Sequence, residues 1–227
     1  MAIENLTTFT EVDTNSRLAI TSSRVTFTNI TDETGEPWTY LMKDKGADYF
    51  NGDFTFYIDI EMADRQNTNP AIDICRLGND LEDYIAAYNN SHSCLMGYIY
   101  GNFFSILELY GGTEYGNVDS FNYNPGGVIT HYYMKLWRDE SVGTYGTYYC
   151  KLFLTAADRI ADTNPVLTAA SATQLTSTLH ANVDFRYLWV IGNQLRGSAP
   201  LALNGYFENL DIGENNLIGP MPSFLRT

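Results

Sequence analysis

An alternation of period two constrains this chain more than any other feature. Between Asp53 and Met62 the residues Phe54, Phe56, Ile58 and Ile60 share one parity, and Thr55, Tyr57, Asp59 and Glu61 share the other. Successive side chains of an extended strand point to opposite faces, so this segment has an apolar face that must lie on a core. A helix would scatter the same residues around its circumference. The pattern recurs: Met134 and Leu136 alternate with Tyr133, Lys135 and Trp137, a polar loop spans Arg138 to Gly146, and Tyr148 to Thr155 resumes the run. Cys94 to Tyr100 and Phe103 to Leu109 flank Gly101-Asn102, a pair that tolerates the positive φ of a two-residue hairpin, and Gly111-Gly112 marks the next turn. Arg17 to Thr21 and Arg24 to Ile30 open the series, and Asp184 to Ile191 and Gly205 to Ile212 close it. Only Leu81 to Asn90 and Ala169 to Ala181 hint at helix, and neither holds i, i+3, i+4, i+7 spacing for three turns. The expected fold is all-β, a two-sheet antiparallel β-sandwich of the jelly-roll kind.

Composition supports this and excludes some partners. The 17 Tyr and 12 Phe favour strands, and 44% hydrophobic residues are enough for a packed core. Thirteen Lys and Arg against 27 Asp and Glu give a formal charge of −14, which repels a nucleic-acid backbone or an anionic bilayer. No long apolar run suggests membrane insertion, and the first residues lack the pattern of a signal peptide. Cys75, Cys94 and Cys150 have no metal-type spacing and read as buried thiols. The expected organisation is an extended N-terminal arm over 1–16, one sandwich over 17–213, and an extended C-terminal arm over 214–227. The last carries Gly219, Pro220 and Pro222 before Phe224-Leu225, apolar residues suited to its own domain or a neighbouring subunit.

One repeat is misleading. Asn193-x-Leu195-x-Gly197-x-x-Pro200 and Asn216-Leu217-x-Gly219-x-x-x-Pro222 resemble leucine-rich repeats, yet nothing upstream carries the period and about three repeats are needed to bury a face. A different resemblance spans 17–213. Gly52-Asp53-Phe54-Thr55-Phe56, Tyr133-Met134-Lys135-Leu136-Trp137-Arg138-Asp139 and Gly205-Tyr206-Phe207-Glu208-Asn209-Leu210-Asp211-Ile212 occur in an order similar to that of laminin G-like domains of the concanavalin A-like superfamily. The resemblance implies a lectin-like sandwich of a kind often encoded by phages.

Candidate chemistry is sparse at this level. Glycosidases of the superfamily set catalytic carboxylates along one strand, and Asp59, Glu61 and Asp64 have that spacing, but with the identities exchanged. His92, His131 and His180 sit in unrelated segments and read as structural. Counting back from Ile212 turns Glu208 toward the apolar side. The resemblance implies that an acidic residue there helps hold a calcium ion, so Glu208 is the metal candidate and calcium the only cofactor suggested. Tyr133 with Trp137, and Tyr98, Tyr100 and Tyr115, are candidate platforms for stacking on sugar rings. The reading that results is a non-catalytic, lectin-like virion module, a capsid decoration or fibre domain at the virion surface. Its expected partners are other virion subunits or copies of itself, with a glycan as candidate ligand. A free lectin and a glycoside hydrolase are the alternatives.

Overall fold

The computed structural model describes residues 3–31, 37–47, 49–50, 52–65, 71–82, 84–100, 103–116, 121–122, 130–142, 146–170, 185–193 and 203–213. The chain opens with β1 (Thr10–Asp13), β2 (Leu18–Ile20), β3 (Arg24–Ile30), β4 (Thr39–Asp44) and the long β5 (Phe54–Arg65). After β6 (Ala71–Gly78) and the short helix α1 (Tyr84–Asn89) come β7 (Cys94–Tyr100), β8 (Phe103–Tyr110), β9 (Thr113–Gly116) and β10 (Phe121–Asn122). The C-terminal part adds β11 (Thr130–Asp139), β12 (Thr147–Phe153), helix α2 (Ala156–Ala161), β13 (Leu167–Ala170), β14 (Tyr187–Asn193) and β15 (Leu203–Asp211). The strands form two antiparallel sheets. The first is ordered β1-β4-β14-β6-β7-β8-β10, with β9 also on β8, and the second β13-β12-β11-β5-β15-β3-β2.

The period-two faces meet between the sheets as expected. Phe54, Phe56, Ile58, Ile60 and Met62 of β5 are at most 2% exposed, and they join Val25, Phe27, Met134, Leu136, Cys150 and Phe207 of the second sheet. Opposite lie Leu41, Ile72, Ile74, Leu77, Leu95, Leu188, Val190 and Ile191 of the first sheet. Burying one such large apolar side chain contributes about 1.5–3 kcal/mol, so this layer dominates the stabilisation. Burial pushes the Cys75 thiol up to about 12 and the Cys150 thiol upward as well, leaving both as protonated core atoms.

The structure adds three features to the sequence reading. Residues read as an N-terminal arm are woven into the sandwich: β1 pairs with β4, Leu6 is fully buried, and the Glu4 amide donates to the Leu210 carbonyl at 2.8 Å. The C-terminal arm and the Gly101-Asn102 turn lie outside the described residues. The segment read as strand to Thr155 ends at Phe153 and turns into α2, which the sequence reading did not anticipate. Thr155 caps this helix: its hydroxyl accepts from the Asp158 amide at 3.0 Å and donates to the Asp158 carboxylate at 2.6 Å. Asp162 ends it in the left-handed conformation with φ 54°. In the region of Leu81 to Asn90 that hinted at helix, α1 forms a single six-residue helix.

The third feature corrects the placement of Glu208. Strand β15 slips register between Glu208 and Asp211, and Asn209 takes φ 55°. The extra residue reverses the parity counted from Ile212. Phe207 points inward with no exposure, and Glu208 points outward, where the Arg24 Nε donates to it at 2.8 Å. The carboxylate that simple counting buried is a surface group in an ion pair.

Candidate functional site

Antiparallel register lays the outer face of the second sheet out in rows. Tyr206 on β15 and His131 on β11 both pair with Glu61 on the β5 between them, making one row across three strands. Two residues along, Arg24, Glu208, Asp59 and Tyr133 form the second row. The third holds Tyr57, Lys135 and Lys151, and the fourth Thr55, Trp137 and Tyr149. Outward parity alone brings these side chains together, because residues in register on adjacent strands stand side by side.

The first row is a proton-bearing network. The Tyr206 hydroxyl donates to Glu61 Oε2 at 2.9 Å and lies 3.3 Å from His131 Nδ1. Burial, then the Glu61 carboxylate, push Tyr206 up to about 12, so its phenol stays protonated at neutral pH. His131 Nδ1 is 3.7 Å from Glu61 Oε2, and its ring packs against Tyr133 at a tilt of 32° with centroids 4.6 Å apart. Its buried Nε2 has no hydrogen-bond partner among the described residues. Gly205 permits the close packing here, since a Cβ at that position would sit 2.1 Å from the Glu61 carbonyl oxygen and 2.8 Å from the Phe27 ring.

Cations neutralise the remaining carboxylates. The Arg24 guanidinium lies 4.1 Å above the Tyr206 ring and binds Glu208, with its side chain 44% exposed. Helix α2 delivers Arg159, whose Nη1 donates to Asp59 Oδ1 at 2.6 Å, while the Asn209 amide donates to Asp59 Oδ2 at 2.9 Å. The same helix ends at Asp162, which accepts from Lys151 at 2.7 Å and Lys135 at 3.2 Å. These lysines hold the Asp162 carboxyl below its ordinary value, Lys151 contributing most. Four cations thus face the four carboxylates Asp59, Glu61, Asp162 and Glu208, a locally balanced surface on a chain of formal charge −14.

The stacking candidates separate. Tyr133 and Trp137 share this face, but the Lys135 row lies between them. Tyr133 packs against the tilted His131 ring, and Trp137 lies nearly parallel to Tyr149 at 4.9 Å, with the Lys135 ammonium 4.7 Å from its ring. Tyr98 belongs to the other sheet, where it packs against Met96, Leu107 and neighbours. The side chains of Tyr100, Tyr115 and Asp64 lie outside the described residues. Asp59, His131 and Glu208 bring one ligand atom each within 4.8 Å of one another. Calcium usually takes roughly six to eight oxygens, whereas this set supplies one nitrogen and two carboxylates, each already bound by an arginine.

No protein-family model and no curated protein sequence matches the chain. Solved structures do match. An alginate lyase, Aly36B, as a mutant in complex with alginate tetrasaccharide, aligns at TM-score 0.54 and 14% identity over 92% of this chain and 95% of that one. An endo-β-1,4-glucuronan lyase from the fungus Trichoderma reesei aligns at TM-score 0.52 and 10% identity over 93% and 90%. A carbohydrate-binding module from Bacillus subtilis follows at TM-score 0.44 and 12% identity over 92% and 94%. What the chain shares with the two lyases is the jelly-roll sandwich. That likeness bears out the two-sheet sandwich, and the presence of lyases on such a sandwich overturns the expectation of a non-catalytic module. That expectation treated a lectin-like sandwich without a glycosidase motif as chemically inert, and polysaccharide lyases are built on the same sandwich.

Sequence reasoning passed over most of the residues assembled here. His131 was read as structural, although its outward parity on β11 puts it in the first row. Tyr206 and Arg24 carried no local signal, because their partners lie 145 and 184 residues away. Arg159 was within reach, since Thr155-x-x-Asp158 is a helix-start signature.

Proposed function

We propose that the outer face of the second sheet binds an acidic polysaccharide and cleaves it by β-elimination. The observation that carries this reading is the Tyr206, Glu61 and His131 row lying beside the exposed guanidinium of Arg24. β-Elimination at a uronate needs a base to take the C5 proton, an acid to protonate the departing O4, and a cation to hold the carboxylate while charge builds up on it. In this reading His131 takes the proton at Nδ1, the ring nitrogen beside the Tyr206 hydroxyl, the C4–O4 bond breaks as a C4=C5 double bond forms, and Tyr206 donates its proton to O4. A phenol held protonated to about 12 suits the acid. Arg24 exchanges Glu208 for the substrate carboxylate, and Lys135 and Lys151 meet carboxylates of neighbouring units. The sandwich that serves alginate and glucuronan lyases supports the reading.

Hydrolysis by a carboxylate pair is less well supported. Asp59 is held by Arg159 and Asn209, Glu208 by Arg24, and Glu61 by Tyr206, so none is left as a free nucleophile. The test is to incubate the purified protein with alginate, glucuronan and a neutral β-glucan. Unsaturated uronate, followed by its ultraviolet absorbance, is expected from a uronate polymer and not from the glucan. New reducing ends without that absorbance, or no cleavage of any uronate polymer, would overturn the reading.

A further inference from the structure

The excursion from Leu154 to Val166 leaves β12 and returns to it, since Leu167 of β13 pairs with Leu152 and the Val166 amide donates to the Leu152 carbonyl at 2.8 Å. Between these fixed ends it forms a strap over the outer face of the second sheet and carries α2. Apolar packing does not hold it there. Helix α2 has six residues and no buried side chain, Ile160 is 77% exposed, and Leu154 just ahead of it is 52% exposed. Short helices are held in proteins by an apolar face set on a core, and here the isoleucine faces solvent.

Two polar anchors hold the strap instead, and they differ. Arg159 is the deep one: its side chain is 14% exposed and that of Asp59 7%, its guanidinium lies 5.3 Å from the rings of both Tyr57 and Tyr133, and its Nη1 also reaches the Met134 carbonyl at 3.3 Å. Asp162 is the shallow one. Its carboxylate, 40% exposed, bridges Lys135 and Lys151, and its backbone takes the left-handed conformation that ends the helix. Breaking the first anchor would strand a buried charge, whereas the second is open to solvent and can exchange partners.

We infer that Asp162 is a built-in competitor for the substrate: its carboxylate occupies, on Lys135 and Lys151, the place that a uronate carboxylate takes, and the C-terminal end of the strap lifts when a uronate chain binds. This rests on the reading of the face as a site for an acidic polysaccharide. The competing groups are chemically alike, and the two lysines stand in register on β11 and β12, so one carboxylate spans both. Their ammoniums lie 4.7 and 5.7 Å from the Trp137 ring, so an exchange of carboxylates there is read at Trp137. Arg159 keeps its hold, which leaves the last turn to move. There the Asp162 amide donates to the Arg159 carbonyl at 3.3 Å and the Thr163 amide to the Asp158 carbonyl at 3.0 Å.

Asp162→Asn removes the competitor and keeps the helix end, because asparagine adopts the left-handed region readily. The test titrates isotope-labelled protein with tetrasaccharides of alginate and of glucuronan and with cellotetraose, and follows the Trp137 indole by NMR. A Tyr206→Phe background keeps the uronate chains intact. A uronate tetrasaccharide, and not cellotetraose, is expected to shift the indole saturably. Asp162→Asn should tighten that binding by about threefold to tenfold, and Lys151→Met should weaken it by about as much. Asp44→Asn, which removes the same charge from an ion pair on the first sheet, should leave it within about twofold. Hydrogen exchange of the Asp162 and Thr163 amides should quicken severalfold in the complex. Equal or weaker binding by Asp162→Asn, the same gain from Asp44→Asn, or unchanged protection of those two amides overturns the inference. Cleavage of a uronate polymer by the wild type with no response at Trp137 rejects the competitor alone, and a response at Trp137 with no unsaturated uronate rejects the elimination alone.

Discussion

Both outer faces of the sandwich are built from an arginine, a carboxylate and an aromatic ring, and they use them in opposite ways. On the first sheet Arg76, Asp73 and Trp189 are buried, the two charged side chains 4% and 3% exposed. On the second, Arg24, Glu208 and Tyr206 form the same kind of group with the charges 44% and 18% exposed. Exposed ion pairs are weak and exchange partners readily, whereas a buried pair that loses one member leaves an uncompensated charge. Under the proposed function this difference sets where substrate charge is accommodated: Arg24 can release its carboxylate for a uronate, and Arg76 holds its own.

Four measurements break or sharpen this contrast. The largest effect is expected from Arg76→Ala, which should lose about 3–5 kcal/mol of unfolding free energy in urea, against less than about 1 kcal/mol for Arg24→Ala. Equal losses would erase the distinction between the faces. Next, Gly205→Ala removes no functional group yet forces a methyl against the Glu61 carbonyl, so it should cost about 1–3 kcal/mol and slow cleavage by displacing Tyr206 from Glu61. A variant as stable and active as the wild type would show that this close approach is dispensable.

The smaller effects concern titration. Folding raises Tyr206 from 10.0 to about 12, so its contribution is fully present below pH 10 and is lost as the pH climbs to about 12. Burial is the largest cause of the shift and Glu61 adds to it, so Glu61→Gln should let Tyr206 ionise at lower pH in a spectrophotometric titration. An unchanged titration would detach the phenol from Glu61. Asp162 is lowered chiefly by Lys151, so its stabilisation is present above the ordinary carboxylate value and lost as pH falls through the depressed one. Lys151→Met should move the Asp162 carboxyl upward in an NMR titration, and only slightly affect stability because the carboxylate is 40% exposed.

The fold was legible where the physics is local. Alternation in β5 and β11 named the faces that bury Phe56, Ile58 and Met134, and the glycine turns separated the strands. It failed where one residue breaks the count: Asn209 in the left-handed region turned Glu208 from the inside to the outside. The site was less legible because it is assembled by register between β11, β5 and β15, which no single segment contains. Glycosidase-type spacing picks out Asp59 and Glu61 without their tyrosine, histidine and arginines.

The claim at the centre is that Tyr206 supplies the proton that lets the sugar chain part. The most direct test compares initial rates of unsaturated uronate formation by the wild type and Tyr206→Phe, with circular dichroism confirming that both are folded. A fall of roughly 100-fold to 10,000-fold, the usual share of one acid–base group, is the predicted result. A Tyr206→Phe protein that cleaves at the wild-type rate would contradict it.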